Sequence, residues 1–314
     1  MKQSNKILFF GNERLATGIR TRNPIVNALL SNGYPIAAIA VPSSLKSNSS
    51  PALSRKPRVL EIADFAKTNS IPLLEIENIK TAAETLRSFD ASIGILAAFG
   101  KLIPQEIIDI FPKGIVNIHP SLLPLHRGPI PIEAVILSGE DKTGVSIMKL
   151  VKQMDAGPIY DQSVLQLNGN ESKQELADLL GELAAKRLVE ILPSILSGQL
   201  NPAPQDTNIV PTYDIRLRPD QGKLDFSKTA VELEREVRAF QGWPRSRTEI
   251  NNRPVVIIAV HVKPFSEATK PGIFLNHNHE LAFTTKEGLL IIDRLIPYAG
   301  KEMSGADYLR GYGV

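Results

Sequence analysis

Asn117 and His119 stand two residues apart in the run Ile115-Val116-Asn117-Ile118-His119-Pro120, at the end of an apolar stretch with the marks of a strand. Side chains alternate across a strand, so Ile115, Asn117 and His119 fall on one face and Val116 and Ile118 on the other. Asp155 supplies a third group, within Met154-Asp155-Ala156-Gly157, between two further strand-like runs. An amide donor and a protonatable imidazole can stabilise an oxyanion, and a carboxylate can orient or charge that imidazole. Each feature also has a plain reading. Asn, His and Pro are ordinary where a strand runs out into a loop, and Asp-Ala-Gly is a turn. As a set, Asn117, His119 and Asp155 offer stabilisation and proton transfer, with the nucleophile coming from the substrate.

Other chemistries lack their residues. There is no Cys, which removes disulfides, thiolate nucleophiles and thiolate metal sites and suits a reducing cytosol. No G-x-G-x-x-G follows a strand, and neither G-x-S-x-G nor H-E-x-x-H occurs. Gly94–Leu102 imitates a phosphate-binding loop but has one residue too many between Gly94 and Gly100, and Leu102 where a hydroxyl belongs. His277-Asn278-His279 falls at a hairpin turn, and His126 and His261 are read as ordinary. No metal site is expected.

The elements that must position the three groups come from hydrophobic patterning. Apolar runs at Lys6–Phe10, Tyr34–Pro42, Ile71–Ile76, Ala91–Phe99 and Gly114–His119 alternate with helical stretches. The helices are expected at Leu15–Leu30, Pro57–Thr68, Ile79–Ser88 and Pro104–Phe111. This alternation predicts an α/β domain with a doubly wound, mostly parallel sheet. A helix at Ile130–Ser138, strands at Thr143–Val151 and Ile159–Leu167, and a long helix over Ser172–Leu196 follow. Ser172 and Glu175 form a capping box at the start of that last helix. Pro202, Pro204 and Pro211 then mark an extended connector. Past it, a helix over Lys228–Phe240 precedes short strands, with a turn at Asn251-Asn252, that predict a small C-terminal β-barrel of OB-like type. The expected division is 1–196, a linker 197–211, and 212–314.

At 314 residues, with 43% hydrophobic and 22% charged residues, the composition is that of a soluble protein with ample core. No run approaches a membrane span, so the expectation is a cytoplasmic protein with no membrane partner, and a monomer. The net charge of +3 is uninformative, but its distribution is not. Between Glu13 and Glu61 there is no acidic residue, while Arg14, Arg20, Arg22, Lys46, Arg55, Lys56 and Arg58 fall there. Such a stretch either solvates a surface or attracts a polyanion.

The whole run from Ile95 to Tyr160 resembles the 10-formyltetrahydrofolate-dependent formyltransferase family. Asn117, His119 and Asp155 match that family's catalytic Asn, His and Asp, and Ser121-Leu122-Leu123-Pro124 matches its folate-site motif. The resemblance continues through Lys223–Ile250 and Asp293–Tyr312, which are similar to the C-terminal domain of the branch acting on initiator methionyl-tRNA. It implies formyl transfer from 10-formyltetrahydrofolate to the α-amine of the aminoacyl group, without a metal, for translation initiation. It also implies a folate pocket of Ser121, Leu122, Leu123 and Pro124 with Phe99, Gly100 and Leu102 and the loop Val151–Asp155. Lys46, Arg55, Lys56 and Arg58 would grip the tRNA acceptor stem, with the C-terminal barrel as a second tRNA surface. Three departures bear on acceptor recognition. Gly11-Asn12-Glu13 replaces the usual Gly-Thr-Pro, the loop Ser43–Arg58 is altered, and Gln241-Gly242-Trp243-Pro244-Arg245 keeps only part of Asn-Pro-Trp-Pro-Gly. The altered loop leaves open an amino sugar nucleotide acceptor, or a formyltetrahydrofolate hydrolase. More remote is a non-catalytic tRNA-binding protein on the same fold.

Overall fold

The computed structural model describes residues 5–43, 61–267 and 269–312. Its first sheet is built from β1 (Ile7–Gly11), β2 (Ile36–Pro42), β3 (Leu73–Ile76), β4 (Ile93–Ala97), β5 (Ile115–His119), β6 (Lys142–Lys149) and β7 (Ile159–Gln166). The spatial order is β3-β2-β1-β4-β5-β6-β7, parallel as far as β5 and antiparallel beyond it. Strand order therefore reverses between β1 and β4, and the crevice outside the carboxyl ends at such a switch point is where ligands bind in open α/β sheets. The backbones come very close there. Gly11 has φ +116°, and a Cβ on it would lie 1.9 Å from the Ala97 carbonyl oxygen.

Period-two patterning sends alternate residues to two cores. Ile7 and Phe9 of β1 join Val116 and Ile118 of β5 on one face, under α1 (Pro24–Ser31), α5 (Pro131–Ser138) and α6 (Lys173–Ser197). Leu8, Phe10 and Ile115 face the other way, where the Phe10 ring meets Phe99 and Phe111 edge-on at 5.6 and 5.8 Å. Fully burying each such side chain stabilises the fold by about 1.5–3 kcal/mol. That second face is also lined by α3 (Ala83–Arg87) and α4 (Gln105–Ile108), while α2 (Glu61–Thr68) packs Ile62 and Ala66 into the first core.

Helix α1 is half the expected length. Leu15–Asn23 forms a loop instead, although Leu15, Ala16 and Ile19 are buried. Glu13, Gly18 and Asn23 all adopt left-handed backbone, and Pro24 sets the first helical turn. The helix start is capped from a distance: Glu13 accepts hydrogen bonds from the N–H groups of Ile25 (2.8 Å) and Val26 (2.9 Å). Burial pushes the Glu13 carboxyl up to about 7, against the pull of those two bonds. The Ser172–Glu175 capping box of α6 forms as its spacing requires.

The second sheet comprises β8 (Arg247–Ile250), β9 (Arg253–Lys263), β10 (Phe274–His277), β11 (Glu280–Thr284), β12 (Leu289–Pro297) and β13 (Met303–Ser304), all antiparallel. It is a curled half-barrel with β10 and β8 at its edges, packed on α7 (Ala230–Ala239) and α8 (Gly305–Tyr312). Asn251 and Asn252 both have positive φ, as a type I′ turn demands, and Asn278-His279 turns likewise. The closing helix α8 is an addition to the sequence expectation. It is nucleated where Ser304 accepts the Asp307 N–H at 3.0 Å.

The two units meet around a buried ion pair. The Lys173 ammonium, fully buried, donates to the Thr17 carbonyl (2.8 Å), the Trp243 carbonyl (3.2 Å) and Glu133 (3.4 Å). Burial pushes Glu133 up and Lys173 down, each partly offset by the other's charge. Lys173→Met would leave Glu133 charged and unpaired, and should cost about 3–5 kcal/mol in denaturant unfolding. Adding Glu133→Gln should recover much of that loss; a single variant as stable as the parent would contradict the pairing. Glu13 sets a separate slope. Its folded pKa lies above the ordinary value of 4.5, so its contribution is present below pH 4.5 and lost as pH rises through about 7. The parent should lose up to about 3 kcal/mol across that window, and Glu13→Gln should flatten it in unfolding measured against pH.

Candidate active site

A cleft of about 800 Å³ opens at the switch point. Its walls are the chain after β1 (Asn12 and Arg14–Gly18), after β4 (Ala98–Ile103), the end of β5 (Asn117–Pro120), and Leu150–Asp155. Arg216, Leu217 and Trp243 close one side. Asn117 and His119 continue the face begun by Ile115, at the end of a wholly buried strand that pairs with β4 and β6. They are each only 5% exposed, yet both line the cleft. Among the described residues the Asn117 side chain has no hydrogen-bond partner, so its amide is available to a bound molecule.

His119 is held by backbone. Its Nε2 lies 2.8 Å from the His126 carbonyl oxygen, which can only accept, so Nε2 carries the proton. Nδ1 is the nitrogen turned toward the carboxylate, 3.7 Å from Asp155 Oδ1. Asp155 sits in left-handed backbone (φ 48°), a conformation that Asp tolerates better than most residues. Its other oxygen, Oδ2, accepts the Gly128 N–H at 2.8 Å. The loop that carries it is backed closely: a Cβ on Gly157 would lie 1.9 Å from the Lys149 carbonyl oxygen.

The structure thus brings Asn117, His119, Asp155, Phe99, Gly100 and Leu102 to one cleft. It does not bring Ser121–Pro124 to the cleft wall. Ser121 is fully buried and donates to the Leu125 carbonyl at 2.7 Å. Leu122 lies over Gly144, and Leu123 accepts from Gln162 at 2.8 Å through its carbonyl. These residues shape the turn that carries the His126 carbonyl back to His119. Lys46, Arg55, Lys56 and Arg58 lie outside the described residues.

Sequence reasoning missed the strap from Ala203 to Leu217. Ala203 pairs with Ile159 in a short bridge, and Thr212 and Asp214 bond the backbone of Arg127. Gln205 donates to the carbonyls of Asp155 (2.8 Å) and Gly157 (2.9 Å) while accepting from Arg127 at 2.5 Å. Arg127 also donates to the Tyr213 hydroxyl at 2.7 Å. A Pro-rich stretch without periodicity gives no sign that one of its amides holds a loop in place. Among the described residues no group of three or more His, Asp or Glu could hold a metal ion.

Known proteins resemble this chain in sequence and in fold. Residues 23–192 match the Formyl transferase family and residues 216–313 match its Formyl transferase, C-terminal domain family. A methionyl-tRNA formyltransferase from Chloroflexus aggregans is 32% identical over 311 residues, covering 98% of this chain and 97% of that protein. The fold is also that of two solved structures. One is an N-formyltransferase from Helicobacter canadensis in complex with folinic acid and dTDP-3-aminofucose (TM-score 0.63, 19% identity, 95% of this chain and 98% of that one). The other is a methionyl-tRNA formyltransferase from Clostridium thermocellum (TM-score 0.52, 18% identity, 91% and 98%). The match over residues 23–192 alone spans more than half of the chain, and the chain belongs to the formyl transferase family.

Proposed function

We propose that this chain transfers the formyl group of 10-formyltetrahydrofolate to the α-amino group of methionyl-tRNA, the initiator species, as a cytoplasmic monomer. The observation that carries the reading is the convergence of Asn117, His119 and Asp155 on one cleft in a chain alike over nearly its whole length to a methionyl-tRNA formyltransferase. Among the described residues no helix is long and apolar enough to cross a membrane. The catalytic unit is 1–196, followed by a linker 197–211, with the tRNA surface within 212–314.

The fit of the donor rests on the shape of the cleft. Its apolar wall from Ala98 to Ile103 suits a flat pterin ring, and the backbone of Leu150–Asp155 supplies polar edges. Phe99, Gly100 and Leu102 belong to that wall, while Ser121–Pro124 shape the turn that brings the His126 carbonyl to His119. The donor supplies an activated formyl carbon. An α-amine of ordinary pKa is roughly 10–20% free base at pH 7, so a nucleophile exists without a strong base. As the amine adds, the Asn117 amide N–H meets the oxygen on which charge develops, and His119 presents Nδ1 to the same region. Asp155, 3.7 Å from that nitrogen, orients the ring and is placed to relay the proton lost by the amine toward the leaving nitrogen. Gathering both substrates in one cleft contributes several kcal/mol more.

Two measurements test this. Purified protein given the formyl donor should formylate charged initiator tRNA, and Asn117→Ala should lower kcat by about a hundred- to a thousandfold with tRNA binding retained. Formyl appearing on an amino sugar nucleotide, and not on tRNA, would overturn the acceptor. If Lys46, Arg55, Lys56 and Arg58 meet phosphates, tRNA affinity should drop about a hundredfold between roughly 50 and 200 mM salt. A flat salt profile would remove those four residues from the tRNA surface.

A further inference from the structure

His126 has no task in the chemistry above, yet its surroundings are unusual. The residue adopts left-handed backbone (φ 57°), a conformation uncommon outside glycine, though His takes it more readily than most residues. Its side chain is 12% exposed and bridges two carboxylates from distant parts of the chain. Nδ1 lies 2.9 Å from Asp214 of the strap, and Nε2 lies 2.7 Å from Glu140 in the turn between α5 and β6. A neutral imidazole has one N–H, so one carboxylate would then face a lone pair. Both contacts are satisfied only by the cation.

The backbone around this ring carries the site. The His126 carbonyl accepts from His119, and two residues on, the Gly128 N–H donates to Asp155. Between them, Arg127 is paired through its own N–H and carbonyl to Thr212 and Asp214. One three-residue segment therefore fixes both the imidazole and the carboxylate, and the segment is pinned to the strap beside it.

We infer that His126 is a positioning residue for the proposed transfer, a cationic clip that fastens the strap and the α5–β6 turn to the segment 126–128 and so holds His119 and Asp155 in register. The inference rests on the reading of His119 and Asp155 as the catalytic pair. The groups facing the ring are Asp214 from the strap and Glu140 from the turn, where the Ser138 hydroxyl also donates to Glu140 at 3.1 Å. Arg127, its neighbour, directs its guanidinium away to Tyr213 and Gln205, and Arg235 of α7 lies over Gly139. Burial lowers the His126 pKa, but the bonds and charges of Asp214 and Glu140 outweigh it, so the net shift is upward. The clip is thus closed below the usual imidazole pKa and opens as pH rises through the raised value. Opening leaves the cleft walls in place and loosens the reacting pair, so it acts on kcat more than on KM.

The experiment compares the full-length parent with His126→Asn, Asp214→Asn and Glu140→Gln. Asn accepts the left-handed backbone but cannot carry the charge. With initiator methionyl-tRNA and 10-formyltetrahydrofolate as substrates, the ratio of parent to His126→Asn kcat should be about tenfold at low pH and approach one above the His126 midpoint. KM for both substrates should stay within about twofold. In imidazole NMR of the parent, the His126 midpoint should lie above the ordinary imidazole value. Asp214→Asn and Glu140→Gln should each move it down by about one unit. A constant kcat ratio across pH, a ratio of one throughout, or a midpoint that neither carboxylate variant moves would overturn the clip. Should His126→Asn not fold, the two carboxylate variants decide through the midpoint and their own kcat profiles. A parent that forms no formyl-methionyl-tRNA sinks the proposed function instead, and the NMR midpoints still judge the clip.

Discussion

The Lys173 ammonium sits where four pieces of chain meet, and the shape of the cleft depends on it. It gathers the loop after β1, helix α5 and the start of the second unit onto α6, through Thr17, Glu133 and Trp243. Thr17 and Trp243 both line the cleft, so this one charge spaces two of its walls. An ion buried this deeply is tolerable only while its partners stay in place. Both walls are therefore held to each other as well as to the sheet.

Inside that frame the groups proposed to react are set by backbone more than by one another. A peptide carbonyl fixes which nitrogen of His119 is protonated, a peptide N–H holds one oxygen of Asp155, and the left-handed turn at Asp155 aims the other. Backbone dipoles held in a rigid loop need no reorganisation as charge moves, which is the quality an oxyanion site requires. The cost falls on the loops, where Ala98, His126 and Asp155 all occupy positive φ.

The sequence made the strands legible because each is a short apolar run whose alternation maps onto two cores, as Ile115 and Val116 do on opposite faces of β5. The same alternation put Asn117 and His119 on one face, and the resemblance joined Asp155 to them. Helix α1 was overdrawn because Leu15, Ala16 and Ile19 keep a helix-like apolar spacing while serving a buried loop that Gly18 and Asn23 bend. The Ser121–Pro124 run was taken for a pocket wall; its hydroxyl is spent on the turn, and its carbonyls accept from Ser146 of β6, Gln162 of β7 and Thr212 of the strap. Gln205 and His126 stayed hidden for a different reason. Their partners are 50 and 88 residues away, and nothing local in either stretch records the pairing.

The strap also constrains how such a protein could be recombined over evolutionary time. The segment joining the two sheets is stitched to β7 at Ala203 and to the loops around the cleft at Gln205, Thr212, Tyr213 and Asp214. A lineage that exchanged its second sheet at the end of α6 would inherit a stranger's stitching and a slack pocket. Crossovers after Leu217 would carry the whole seam along, so shuffled descendants of this architecture should share their strap with their first sheet.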